Sequence, residues 1–266
     1  MMKKLVKIFV TILASLAGIL LSLYVIAYCM GEPDLNKNRY LKLYDDNQEI
    51  YYQSINDYTG HYVTLNNVSN YFKESIVAIE DQRFYDHRGF DPIGIMRALK
   101  VNFTNQKKSQ GASTITQQYA RLLYLTNEKS WSRKIKEAFL TMQLETRLSK
   151  DEILEGYINN VYFGHGIYGI ENAAQYFYGK SAKELDLNES SMLAGVVNGP
   201  TYYSPLNDAK AARKRQSIVL NALIDCKEIT VTQKQQVLDS DLNLAETHKV
   251  DDNMANNYYK DTVIDE

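Results

Sequence analysis

Cysteine is nearly absent from this chain of 266 residues: only Cys29 and Cys226 occur, one inside an apolar N-terminal run and the other far along the sequence. That usage argues against a disulfide framework. An excess of one charge is missing too. The formal net charge is -2, whereas a domain that binds duplex nucleic acid usually carries a marked basic excess, so nucleic acid is not expected as a partner. Any anionic ligand would have to be gripped by a local grouping of cations. No metal-ligand spacing such as His-x-x-x-His appears, and there is no internal repeat or low-complexity tract. What remains is a globular composition, 45% hydrophobic, enough to bury one full core and open to one or two domains.

The clearest organisational feature is the charge-free run Ile8–Met30, 23 residues long, where roughly 20 suffice to cross a bilayer as a helix. Lys3, Lys4 and Lys7 precede it while Glu32 and Asp34 follow. The positive-inside rule then places the N-terminus in the cytoplasm and the rest of the chain outside. A cleaved signal peptide is the rival reading, but its apolar core is usually about 7–15 residues and no small-x-small site follows here. The expected organisation is a cytoplasmic N-terminus over 1–7, a single-pass anchor over 8–30, a juxtamembrane segment over 31–62, a catalytic domain over 63–225 and a linker-like tail over 226–266.

Helix signals dominate the remainder, and only short pieces such as Glu49 to Tyr52 read as strands. Asp91 before Pro92 predicts an N-cap with proline at the first helical position, and Ser149-x-x-Glu152 and Asp186-x-x-Glu189 predict capping boxes. Ile153, Leu154, Tyr157, Ile158 and Val161 recur at spacings of three and four, which makes one apolar helical face.

Three segments concentrate groups that can do chemistry. EDQRFYDHRGF from Glu80 ends an apolar helical stretch, and a carboxylate at such an edge has its pKa raised by partial desolvation, as a general base requires. A solvated helix end with Glu80 paired to Arg83 at i+3 explains the same spacing. Glu137 lies in RKIKE from Arg133, where an ordinary Arg133–Glu137 surface pair is the competing reading. Between them QGASTITQQ, from Gln110, is a small-residue turn into a helix whose first-turn N–H groups, with Ser113, Thr114 and Gln117, suit a polar or anionic ligand. A plain cap by Ser113 accounts for it equally well. Arg97, Arg121, Lys129, Arg133 and Arg215 are scattered cations that matter for a diphosphate only if the fold gathers them.

Taken together, these motifs closely resemble the peptidoglycan glycosyltransferases, glycosyltransferase family 51, which include monofunctional transglycosylases and the donor half of bifunctional penicillin-binding proteins. The likeness runs from Leu65 to Leu220 and also takes in KDEILEGYIN from Lys150, YFGHGIYGIENAAQYFYG from Tyr162 and RQSIVL from Arg215. The resemblance implies a mainly α, lysozyme-like domain of two lobes behind the N-terminal transmembrane helix. It implies that Glu80 is the general base on the 4-hydroxyl of the acceptor, lipid II, and that C1 of the donor strand is attacked with inversion to a β-1,4 link as undecaprenyl diphosphate departs. Glu137 would orient or stabilise the leaving end, and Arg97, Ser113, Thr114, Gln117, Gln118, Arg121, Lys129, Arg133 and Arg215 would hold sugar and diphosphate.

No cofactor is required by this scheme, although a divalent cation, Mg2+ or Mn2+, is an option at the diphosphate. Expected partners are lipid II, the growing glycan strand, the membrane, and other cell-wall synthesis proteins such as penicillin-binding transpeptidases. Ala112 stands where the family often has a second glycine and Arg121 where lysine is usual, which alters the detail of phosphate contact without removing needed chemistry. The stretch ending NNYYKDTVIDE resembles the linker that precedes a transpeptidase domain in bifunctional members, and no such domain is expected within these residues. A lysozyme-like hydrolase and an inactive membrane-tethered scaffold are the alternative functions. The polar loop Asn102 to Gln110 is expected to move when substrate is held.

Overall fold

Three helix starts written into the sequence, at Asp91, Ser149 and Asp186, are ones the chain uses. In the computed structural model, which describes residues 2–31, 42–44, 50–53, 62–97, 113–124 and 131–245, Ser149 caps the helix Lys150–Asn160 and Glu152 reaches back to the Ser149 N–H at 2.7 Å. Asp186 and Glu189 form the same reciprocal box before Leu187–Val196. Asp91 Oδ1 accepts from the Ile93 N–H at 3.1 Å, and residues 92–97 are helical. Each box satisfies two N–H groups that a helix start would otherwise leave orphaned.

The elements in chain order are α1 (Met2–Cys29), β1 (Lys42–Tyr44), β2 (Ile50–Gln53), α2 (Asn70–Glu80), α3 (Ile115–Tyr124), α4 (Trp131–Arg147), α5 (Lys150–Asn160), α6 (Ile170–Tyr178), α7 (Leu187–Val196), α8 (Pro200–Tyr203), α9 (Ala209–Asp225) and α10 (Val231–Asp239). The described chain is therefore mainly helical. Its strands form one small antiparallel hairpin with Leu43 opposite Tyr52, close to where the strand at Glu49 to Tyr52 is expected.

Two groups of helices make the body. α2, α7 and α9 pack mutually on one side, and α3 packs against both α4 and α5 on the other. One apolar core joins them, with Phe72 and Ile76 of α2, Tyr119 of α3, Leu144 of α4 and Leu193 of α7 all buried within it. The predicted face of α5 lies wholly inside that core, from Ile153 to Val161. The second group is also tied by a buried ionic node: Glu145 Oε1 of α4 accepts from the Thr116 hydroxyl of α3 and from Lys150 Nζ of α5, both at 2.6 Å. α10 packs back on α9 through Leu223, Ile229 and Val237, so the packed helices continue beyond Asp225.

α1 docks along α4. The Tyr24 hydroxyl donates to the Arg88 carbonyl at 2.7 Å, and the Arg147 guanidinium lies 4.7 Å from the centre of the Tyr28 ring while donating to the Tyr28 carbonyl. Among the described residues no helix is long and apolar enough to cross a membrane. The loop Asn102 to Gln110 lies outside the described residues.

Candidate active site

Glu80 is the last residue of α2, where the helix of one group meets α3 and α5 of the other. Its Oε2 accepts from Gln118 Nε2 of α3 at 2.8 Å, and Gln118 Oε1 in turn accepts from the Tyr157 hydroxyl of α5 at 3.0 Å. Glu80 Oε1 is buried and has no hydrogen-bond partner among the described residues. Burial pushes the Glu80 carboxyl above the ordinary carboxylate range. The Gln118 hydrogen bond and the cations Arg215 and Arg121 pull against that rise, and neighbouring Asp81 adds to it. A raised carboxyl with one bare buried oxygen is the arrangement a general base needs: the raised pKa gives proton affinity, and the bare oxygen is where a hydroxyl can approach.

The i+3 pairing of Glu80 with Arg83 is not what forms. Arg83 turns to Asp91 instead, Nε to Oδ1 at 3.2 Å, which leaves Glu80 to Gln118. Arg215 enters from α9, half-buried, with its guanidinium carbon 5.7 Å from the centre of the Tyr203 ring. Burial lowers its pKa, opposed by Glu80 and Tyr203. Close helix packing puts it there: a Cβ on Gly195 of α7 would lie 3.2 Å from Arg215 Cγ. Gly156 does the same on the other side, since a Cβ there would fall 2.3 Å from the Tyr119 hydroxyl oxygen. That gap lets α5 approach α3 closely enough for Tyr157 to reach Gln118.

The start of α3 is built differently from a Ser113 cap. Thr114 is the capping residue: its N–H donates to Gln117 Oε1 at 3.0 Å while its Oγ1 accepts from the Gln117 N–H at 3.2 Å. The Thr114 hydroxyl itself donates to the Gly89 carbonyl at 2.7 Å. Asp81 Oδ2 accepts from the next N–H, that of Ile115, at 3.1 Å, and the same carboxylate holds His87 Nε2 at 3.0 Å. Asp81 thus welds the segment after Glu80 to the helix that carries Gln118. The helix-start groups of Thr114 and Gln117 are consumed by these bonds, and Ser113 is half-buried beside them.

The remaining sequence-selected residues are spread more widely. Glu137 is buried on α4 and held by Lys134, a turn earlier on the same helix; Arg133 is half-buried on that helix. Arg97 is exposed and donates to Gln82. Lys129 lies outside the described residues. Among the described residues no group of three or more His, Cys, Asp or Glu is placed to hold a metal ion. The fold therefore gathers Glu80, Gln118, Arg121 and Arg215 around one point, and it adds Tyr157 and Asp81, which the sequence does not single out. Tyr157 carried one signal: a tyrosine on a fully apolar helical face must find a partner for its hydroxyl.

The family model described as Transglycosylase matches residues 47–224. Penicillin-binding protein 2D of Bacillus subtilis is 43% identical over 204 residues, covering 76% of this chain and 30% of that protein. Penicillin-binding protein 1A of Escherichia coli is 42% identical over 181 residues, covering 68% of this chain and 21% of its own length. Penicillin-binding protein 4 of B. subtilis is 36% identical over 211 residues, covering 79% and 34% respectively. The chain spans about a third or less of the length of these relatives. With motifs in order, a family match over most of its length and a buried carboxylate set among cations, the chain belongs to the transglycosylase family of peptidoglycan glycosyltransferases.

Proposed function

We propose that this chain polymerises lipid II into β-1,4-linked glycan by inverting transfer, releasing undecaprenyl diphosphate, and does so at the outer face of a membrane to which α1 anchors it. The observation that carries the chemistry is the desolvated Glu80 carboxylate, held on one oxygen by Gln118 and bare on the other. In this reading the bare oxygen takes the proton of the acceptor 4-hydroxyl as that hydroxyl attacks C1 of the donor. The departing diphosphate carries the negative charge away, and Arg121 and Arg215 face the region where it develops. A positioned base of this kind contributes about 10²–10⁴-fold in rate.

Glu137, buried beside Lys134, is assigned to the leaving-group end. Arg97, Ser113, Gln118, Lys129 and Arg133 complete the proposed sugar and diphosphate contacts, while Thr114 and Gln117, whose helix-start groups bond each other and Gly89, shape the start of α3 beside them. The domain is read as lysozyme-like, its two lobes corresponding to the two helix groups that meet at Glu80. Anchoring is supported by the charge-free run Ile8–Met30, its basic N-terminal flank and the continuous helix α1. The gathering of arginines around Glu80 favours transfer from a diphosphate over hydrolysis of finished glycan, which needs no cation at the leaving group.

The test is polymerisation of lipid II in detergent by the purified chain, alongside Glu80→Gln and Glu137→Gln. Polymer from the parent and none from folded Glu80→Gln is the expected result. Reducing ends released from purified wall without any lipid substrate would assign the cleft to hydrolysis instead.

A further inference from the structure

We infer that Tyr157 is a positioning residue for the transfer, its hydroxyl fixing the Gln118 side chain so that the amide nitrogen, and not the amide oxygen, faces Glu80. The inference rests on the reading of Glu80 as the base. Tyr157 sits on α5, fully buried, and touches neither Glu80 by hydrogen bond nor any exposed surface. Its hydroxyl donates to Gln118 Oε1 at 3.0 Å, and Gln118 Nε2 donates to Glu80 Oε2 at 2.8 Å.

A primary amide has one donor end and one acceptor end, so whichever end a fixed partner captures decides what the other end offers. Tyr157 captures the oxygen. Burial, reinforced by the neighbouring Glu80 charge and opposed by Arg121, holds its hydroxyl well above its ordinary pKa, so it remains a donor wherever the enzyme works. Gln118 is then obliged to offer N–H to Glu80, and a donor stabilises the carboxylate over the neutral acid. The hydroxyl thereby biases Glu80 toward the form that can accept a proton, offsetting part of the rise that burial causes.

Without the hydroxyl, the amide is free to turn over and present its oxygen, which pairs with the protonated acid. The charged groups facing Glu80 are Arg215 from α9, Arg121 from α3 and Asp81 beside it. Tyr157→Phe leaves all three in place and keeps the ring in the core.

The experiment measures the pH profile of kcat/KM for lipid II polymerisation by the parent, Tyr157→Phe, Gln118→Met and the double variant, each first shown to be folded by thermal unfolding. Tyr157→Phe should move the acid limb to higher pH by roughly half to one pH unit, the scale of a single hydrogen bond. Its KM at the alkaline plateau should be unchanged. In the Gln118→Met background the same substitution should move nothing further, because the amide through which it acts is gone.

A limb superimposable on the parent's, or an equal additional shift in the double variant, would overturn the inference. A parent that makes no polymer strikes the transferase reading. The carbon-13 carboxyl titration of Glu80, assigned with Glu80→Gln, then decides the inference alone: a higher midpoint in Tyr157→Phe supports it and an unchanged one overturns it.

Discussion

Glu80→Gln should separate stability from activity in opposite directions. The substitution keeps the shape and the Gln118 contact but removes a charge from a buried position whose second oxygen has no partner among the described residues. Burial raises the folded carboxyl above its ordinary value of 4.5, so the folded state binds its proton more tightly than the unfolded state does. The stability attached to that proton is fully present below the unfolded value and is lost as pH rises through the raised folded value. Above that raised value the parent therefore carries the cost of a desolvated carboxylate, and an unsatisfied buried polar group typically costs about 1–3 kcal/mol.

A neutral amide in that place avoids the ionic part of this cost. The variant should be as stable as the parent or up to about 2 kcal/mol more stable at pH 7, and the difference should shrink toward pH 4.5, where the parent is protonated too. Polymerisation should nevertheless fall on the order of 10²–10⁴-fold, the contribution of a positioned base. Denaturant unfolding in detergent at the two pH values, paired with turnover of lipid II, reads both. A variant clearly less stable than the parent at pH 7, with activity lost in proportion to folding, would refute the reasoning.

Gly156→Ala should destabilise the chain by about 1–3 kcal/mol through overpacking, because its Cβ would meet the buried Tyr119 ring at 2.3–2.7 Å; an unchanged unfolding midpoint would show that α3 and α5 have slack. Thr114→Ala, which loses the cap and the bond to the Gly89 carbonyl, should cost about 1–2 kcal/mol, while Thr114→Ser should retain stability in thermal melts. Asp81→Ala strips the acceptor from both His87 and the Ile115 N–H. It should cost about 1–3 kcal/mol, the range for leaving a buried donor without its acceptor, and slow hydrogen exchange at the start of α3 should be lost.

How much of the site was legible can be judged residue by residue. Glu80, Gln118, Arg121 and Arg215 were all marked by motif, and the fold brings them to one place. The partner of Arg83 was not legible, since i+3 spacing offered Glu80 while the bend after α2 brings Asp91 closer. The cap at α3 fell one residue later than Ser113 because Thr114 has both Gln117 three residues on and the Gly89 carbonyl within reach of its hydroxyl. Asp81 was not marked as a site residue and Tyr157 was marked only as part of an apolar face, because the groups that give them meaning lie 34 and 39 positions away in the chain.

By itself the sequence determined what is local: where helices begin, which face of α5 is apolar, and that acidic and basic groups stand beside apolar runs. Capping and periodicity act over three or four residues, so they are written in the local sequence without reference to any tertiary contact. Only the tertiary structure decided which carboxylate is desolvated and which oxygen of it stays bare. Burial and hydrogen-bond direction belong to the packing of α2, α3, α5 and α9 around one point, and the glycines that permit that approach, Gly156 and Gly195, show their role only where another helix lies against them.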